Sequence, residues 1–260
     1  GLSIENSMIL DRENSAFPIP VDRDVGGFVV RETRLVDYPY FIDIRDSNLG
    51  ESSGITDSLQ QVTITWASPI VIDEDLNSER EIFKFLESSS ESWTSNRMII
   101  QPDYDKHGEI GFETSKDVSR RVIGVRAQGR FTSFFENRPT PTDIESAKDS
   151  EVSEDKKVSE TVQKLITKSP SASRIVLIAS NSFASDVMLD LASSAMGTRY
   201  EKPIELIQNA VDWSLEDTGL LSIRGRGQFV RTLPSLSKHG KLLLEYLNYF
   251  VACCLLFLVS

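Results

Sequence analysis

Ser180 and Ser182 are the first residues to weigh for chemistry. They follow the apolar run Arg174-Ile-Val-Leu-Ile-Ala, where a strand hands over to a helix and where α/β sites form. A nucleophilic serine at such a turn calls for Gly-x-Ser-x-Gly, because the strained elbow needs neighbours without a Cβ. Here the run is Ile178-Ala-Ser-Asn-Ser-Phe, without those glycines. Ser182 therefore reads as the N-cap of the next helix, its hydroxyl accepting an otherwise unpaired N–H. A hydrolase on Ser180 or Ser182 stays as the alternative, and it would need a base. The chain has two histidines, His107 in the polar run Asp103-Tyr-Asp-Lys-His-Gly and His239 beside the apolar C-terminal run. Neither is close to the serines in sequence. His107 with Asp103, Asp105 and Glu109 lacks the ligand spacing of a zinc site and reads as a solvated loop. The two cysteines, Cys253 and Cys254, are adjacent, a spacing that disfavours a disulfide between them. They leave the rest of the chain without a thiol nucleophile or thiolate metal site. No glycine-rich phosphate loop is visible. The expectation is no catalytic residue, no metal and no cofactor.

The charged candidates lie further on. Asp212 and Trp213 precede Ile223-Arg-Gly-Arg-Gly, which carries Arg224 and Arg226, and Arg231 follows. Arginines spaced by glycines can hold an anion or a carboxylate. They can equally pair with Asp212 or Glu216 inside the domain, and a structural ion pair is the preferred reading. These five residues are the candidates for an interaction site. Trp66, Trp93 and Trp213 would offer a glycan- or peptide-binding platform if they were exposed.

These residues need a scaffold. At 260 residues, 40% hydrophobic and 26% charged, the chain is ordinary globular protein, one large domain or two small ones. A net charge of -11 repels nucleic acid and sets that partner aside. No secretory leader is visible, and the strand-like start at Gly1 suggests missing upstream sequence. Residues 1–139 read as the first part of an α/β domain. Residues 11–20 read as loop, restricted by Pro18 and Pro20. A strand is expected at 28–30, and another at 38–44, the latter an edge strand because Pro39 cannot donate to a ladder. Gln61-Val-Thr-Ile-Thr-Trp alternates cleanly and is the best strand signal of this half. Strands are also expected at 121–128 and 129–135. Residues 140–160 are acidic, lack aromatics and read as a disordered insertion. Residues 161–241 resume the domain with a buried parallel-type strand at 174–179. A helix over 183–196 follows, with Val187, Leu191 and Ala195 on one stripe and Gly197 as its stop. A second helix from Pro203 carries Ile204, Ile207, Val211 and Leu215, and residues 220–223 read as a last strand.

The tail, 242–260, carries Glu245 as its single charge and reads as the start of a transmembrane helix, a full span needing ~20 apolar residues. Tyr246 and Tyr249 suit the interface, and Phe250, Leu255, Leu256 and Phe257 the hydrocarbon. Arg224, Arg226, Arg231, Lys238 and Lys241 precede it, and the positive-inside rule taken literally puts that flank in the cytoplasm.

Several runs, in order, carry a resemblance. They are Gln61-Val-Thr-Ile-Thr-Trp-Ala-Ser-Pro, Ser88-Ser-Ser-Glu-Ser-Trp, Gly129-Arg-Phe-Thr-Ser-Phe-Phe and Val176-Leu-Ile-Ala-Ser-Asn-Ser-Phe-Ala-Ser-Asp. The most specific is Asn209-Ala-Val-Asp-Trp, within the stretch from Arg199, followed by Leu-Leu-Ser-Ile-Arg-Gly-Arg-Gly. Together they resemble the auxiliary subunits of ABC-2 type transporters related to the gliding-motility auxiliary component. The resemblance implies a flavodoxin-like or glutamine-amidotransferase-like three-layer α/β domain. It also implies an extracytoplasmic placement beside a C-terminal transmembrane segment, and permease and ATPase subunits as partners. It brings no catalytic residues to carry over. The chain departs from a true amidotransferase in having no cysteine after a strand.

Overall fold

The computed structural model describes residues 1–50, 54–97, 99–136, 138, 166–215 and 238–259. The chain divides into two units, Gly1–Gly227 and Gln228–Ser260. In the first, strands β1 (Leu2–Ile4), β2 (Met8–Leu10), β3 (Asn14–Val25), β4 (Phe28–Arg45) and β5 (Gln61–Thr65) come first. Strands β6 (Ile70–Ile72), β7 (Glu81–Glu87) and β8 (Trp93–Ser95) follow, then the short helix α1 (Tyr104–His107) and β9 (Val122–Gln128). Strand β10 (Arg174–Ile178), helix α2 (Asp186–Met196) and helix α3 (Lys202–Leu215) complete the described part. The strands form the sheets β1-β6, β2-β8, β3-β4-β5 and β10-β9-β7. Every pairing among the described residues is antiparallel. The three-layer class implied by the resemblance is built on a parallel sheet. β10, expected as a buried parallel-type strand, instead sits antiparallel at a sheet edge with Ile175 exposed.

The largest departure from expectation is the β3–β4 hairpin. Residues expected as a loop with two prolines form β3, and one strand runs from Phe28 to Arg45 where two short ones were expected. Gly26 and Gly27 make this possible, with φ of 65° and 89°, the left-handed pair that a tight hairpin turn needs. The prolines are tolerated because their partners across the ladder, Leu35 for Pro18 and Thr33 for Pro20, lie in pairs that exchange no hydrogen bonds. Pro39 likewise does not make β4 an edge strand. β4 is the middle strand, and Pro39 falls where its register with β3 shifts, between the pairs Ala16–Asp37 and Asn14–Ile42, and before β5 begins at Phe41.

The alternation of β4 and β5 separates two environments. Ile42, Ile44, Val62 and Ile64 enter the main core with Ile9, Phe85, Leu86, Ile123, Leu206 and Trp213. An aromatic cluster of Tyr38, Tyr40, Phe41, Trp93 and Phe112 lies beside it. Trp93 and Trp213 are buried and Trp66 is half-buried, so the three do not form an exposed platform. Helix α3 is rotated from the expected stripe. Ile207, Val211 and Leu215 are exposed, whereas Pro203, Leu206, Ala210 and Trp213 are buried. Both sets keep helical spacing, and the packing partners choose between them. On α2, Val187 is exposed for the same reason. Residues 129–135 form an isolated bridge, Thr132 to Lys168, and a turn rather than a strand. The expected insertion at 140–160 and the strand at 220–223 lie outside the described residues.

The second unit contains helix α4 (Lys238–Val259), which carries Tyr246, Tyr249, Phe250 and Leu255, all exposed, and has Leu256 and Phe257 near its end. Among the described residues no helix is long and apolar enough to cross a membrane. Charges and Asn248 occupy the first half of α4. Its uncharged stretch, 246–259, extends only about 21 Å at 1.5 Å per residue, against the ~30 Å of a hydrocarbon core.

Candidate functional site

The polar faces of β4 and β5 are partly covered: Thr63 and Thr65 are buried, and Asp43, Arg45 and Gln61 half-buried. The register sets Phe41 beside Thr65, Asp43 beside Thr63 and Arg45 beside Gln61, all on the face opposite the aliphatic core. Met188, Leu191, Ala192, Ala195 and Met196 of α2 roof this face and enclose a cavity of about 200 Å³. The floor is polar and the roof is apolar, the combination that small-molecule sites use.

The floor is held by an internal network. One carboxylate oxygen of Asp43 accepts from Arg45 Nε at 2.8 Å and from its Nη2 at 2.8 Å. The other accepts from Gln61 Nε2 at 2.8 Å. Burial pushes the Asp43 carboxyl up, and the Arg45 charge and the Gln61 bond offset only part of that. Tyr200 closes the end of the cavity. Its hydroxyl accepts from Thr63 N–H at 2.8 Å and donates to Thr63 Oγ1 at 3.3 Å. Thr63 Oγ1 in turn bonds Ser15 Oγ at 2.7 Å. Burial pushes the Tyr200 phenol up to about 12, so it stays neutral.

Ser180 and Ser182 lie beside Thr65, which lines the cavity. Ser180 Oγ donates to Thr65 O at 2.6 Å, and Ser182 Oγ lies 3.1 Å from Thr65 Oγ1. Their hydroxyls are engaged by Thr65, with no imidazole or carboxylate bonded to either among the described residues. Ser182 is not the helix cap. Ser185 takes the N-cap position of α2, three residues on, because the turn at Ser182 first closes with a bond from Ser185 N–H to Ser182 O. His107 borders a different hollow of about 150 Å³, with Arg97, Asp103 and Glu113, that includes neither serine. Asp103 caps α1, its carboxylate accepting from Lys106 N–H.

The structure assigns Trp213 a packing role. The side chain is 1% exposed. Arg126 and Arg174 stand over its ring at 5.0 and 5.2 Å, and Arg174 also donates to Trp213 O at 2.6 Å. Arg126 stacks on Phe83 as well, at 4.8 Å, and burial lowers its pKa. Asp212 is half-buried on the same helix. Asn209 donates to Ile55 O at 2.8 Å and to Ser58 Oγ at 3.0 Å. The motif Asn209-Ala-Val-Asp-Trp thus pins α3 to the segment before β5 and to the main core. Arg224, Arg226 and Arg231, and any pairing of Asp212 with Arg224, lie outside the described residues.

Two residues at buried polar positions went unnoticed in the sequence. Asp11 is fully buried, and its carboxylate accepts from Ser89 N–H at 2.7 Å, Ser89 Oγ at 2.5 Å and Glu13 N–H at 3.0 Å. Burial outweighs these bonds and raises its pKa. The run Ser88-Ser-Ser-Glu-Ser-Trp supplies the partners. Ser88 also bonds Ser92 at 2.6 Å and accepts from Arg121 N–H, and Ser92 donates to Ser119 O. The other is Asp43, whose signal was present as an acidic residue within the apolar run Tyr40-Phe-Ile-Asp-Ile.

The profile of a family described as an ABC-type uncharacterized transport system matches residues 1–210. No curated protein and no solved structure matches the chain.

Proposed function

The chain belongs to the family of ABC-type uncharacterized transport system proteins, and on that premise we propose that it is a non-catalytic accessory subunit that scaffolds or binds at the transporter. The observation that carries this reading is the state of the cavity floor. Its carboxylate is bonded to Arg45 and Gln61, and its phenol and hydroxyls to one another, with no nucleophile beside a base among the described residues. Such a floor can hold a surface or a small molecule, and it lacks the pairing that acyl transfer requires.

The finer assignments belong to the same proposal. The domain is extracytoplasmic, as the resemblance implies. Permease and ATPase subunits are the partners. α4 attaches the chain to a membrane through the uncharged stretch 246–259, supported by the exposure of Tyr246, Tyr249, Phe250 and Leu255 on several faces of the helix. Affinity purification of the full chain in mild detergent is expected to retain an ABC ATPase and a permease in fixed ratio. A chain that purifies without either subunit, in detergents that keep such complexes whole, sinks the reading.

A further inference from the structure

The β3–β4 hairpin leaves a long strand edge uncovered. β5 pairs only with Phe41–Arg45. Trp66, at φ +47°, then turns the chain away after one last bond from its N–H to Tyr40 O. From Val29 to Asp37, β4 has β3 on one side and, among the described residues, no strand on the other. The two edges of the hairpin are not equivalent. On β3, Pro18 and Pro20 remove N–H groups from the outer edge and blunt it. Because those prolines oppose Leu35 and Thr33, the same register turns the backbone groups of the odd-numbered residues of β4 away from β3. The tip is apolar as well, with Phe28 77% and Val29 73% exposed.

We propose that this edge docks a second copy of the chain, β4 against β4, antiparallel about a two-fold axis at Thr33. Hydrogen bonding requires edge-facing residues to oppose one another, so odd positions meet odd positions and the axis falls on a residue rather than between two. An axis on Arg31, Glu32 or Arg34 sets like charges face to face, which is destabilising. The axis on Thr33 places Glu32 opposite Arg34 of the second copy, twice, and Val30 opposite Val36, twice. Thr33 meets itself. The pairing uses the backbone groups of β4 up to Leu35; beyond it Asp37 O accepts from Tyr104 OH at 3.3 Å, and the aromatic cluster begins at Tyr38. The edge is thus complementary to itself in hydrogen bonding, charge and apolar content at this register.

The test is cysteine cross-linking of the full chain in mild detergent, with Cys253 and Cys254 changed to Ser. Across a hydrogen-bonded antiparallel pair the Cα atoms are about 5.5 Å apart, inside the disulfide range of roughly 4.4–6.8 Å. Thr33→Cys is expected to oxidise to a covalent dimer. Val29→Cys is the control: Val29 opposes Asp37, so its own copies lie roughly 27 Å apart and should not cross-link. Without cysteines, Arg34→Glu should weaken the dimer roughly tenfold in sedimentation equilibrium, and Glu32→Arg with Arg34→Glu should restore it. A monomer at tens of micromolar overturns the proposal, and so does a partner subunit's strand found on this edge. Equal cross-linking of Val29→Cys and Thr33→Cys also overturns it, because that reports shared micelles rather than a register.

Discussion

Tyr200 and Asp11 are buried ionisable groups whose effects on stability run at opposite ends of the pH scale. The Tyr200 phenol is raised from 10.0 to about 12 by burial. The stability this contributes is fully present below pH 10 and is lost as pH rises toward 12. Tyr200→Phe is expected to cost about 1–3 kcal/mol at neutral pH, because Thr63 N–H loses its acceptor. It should also flatten the alkaline fall in stability, read as the urea midpoint from pH 7 to pH 11. Asp11 has a folded pKa above its ordinary 3.8. Its contribution is full below 3.8 and declines as pH rises through the folded value. The stability of the native protein minus that of Asp11→Asn should therefore fall across that interval, and a difference that rises with pH would contradict the burial argument. At this scale the sequence was a partial guide. Asp43 was marked by the apolar run around it, whereas Asp11, in residues read as a loop, carried no mark of burial, because its burial depends on what is packed above it.

Helix α3 shows the limit of periodicity as a guide. The spacing of Ile207, Val211 and Leu215 is helical, and so is that of Pro203, Leu206, Ala210 and Trp213. Only the second set meets the core. Trp213→Ala is expected to cost about 3–5 kcal/mol, through the lost ring and the hole left between Arg126 and Arg174. Val211→Ser should stay within about 0.5 kcal/mol, because the side chain is exposed. Chemical denaturation of both variants checks the pair, and a large cost for Val211→Ser would place the inward face wrongly. The hairpin carries the same lesson for strands. Two prolines read as loop until their pairing with Thr33 and Leu35 shows that no ladder bond is lost.

At the scale of the whole molecule, attachment is the property to test. An arginine in the middle of an inserted helix costs about 2.5–3.5 kcal/mol. Val251→Arg with Leu255→Arg is therefore expected to move the chain from the membrane pellet to the supernatant on fractionation. If the doubly substituted chain still pellets with membranes at high salt, α4 is not the attachment.

What the sequence determined by itself was family and broad chemistry. Ordered short motifs survive because each makes a local structural demand, as Asn209-Ala-Val-Asp-Trp does on α3 and Ser88-Ser-Ser-Glu-Ser-Trp does around Asp11. The absence of an elbow glycine beside Ser180 and of a cysteine outside 253–254 was equally legible, because those are statements about residue types. Strand direction, the inward faces of α2 and α3, and the enclosure of Asp43, Thr63 and Tyr200 in one cavity came only from the tertiary structure. Each depends on which segments meet, and pairing energy between segments distant in sequence leaves no periodicity in either one.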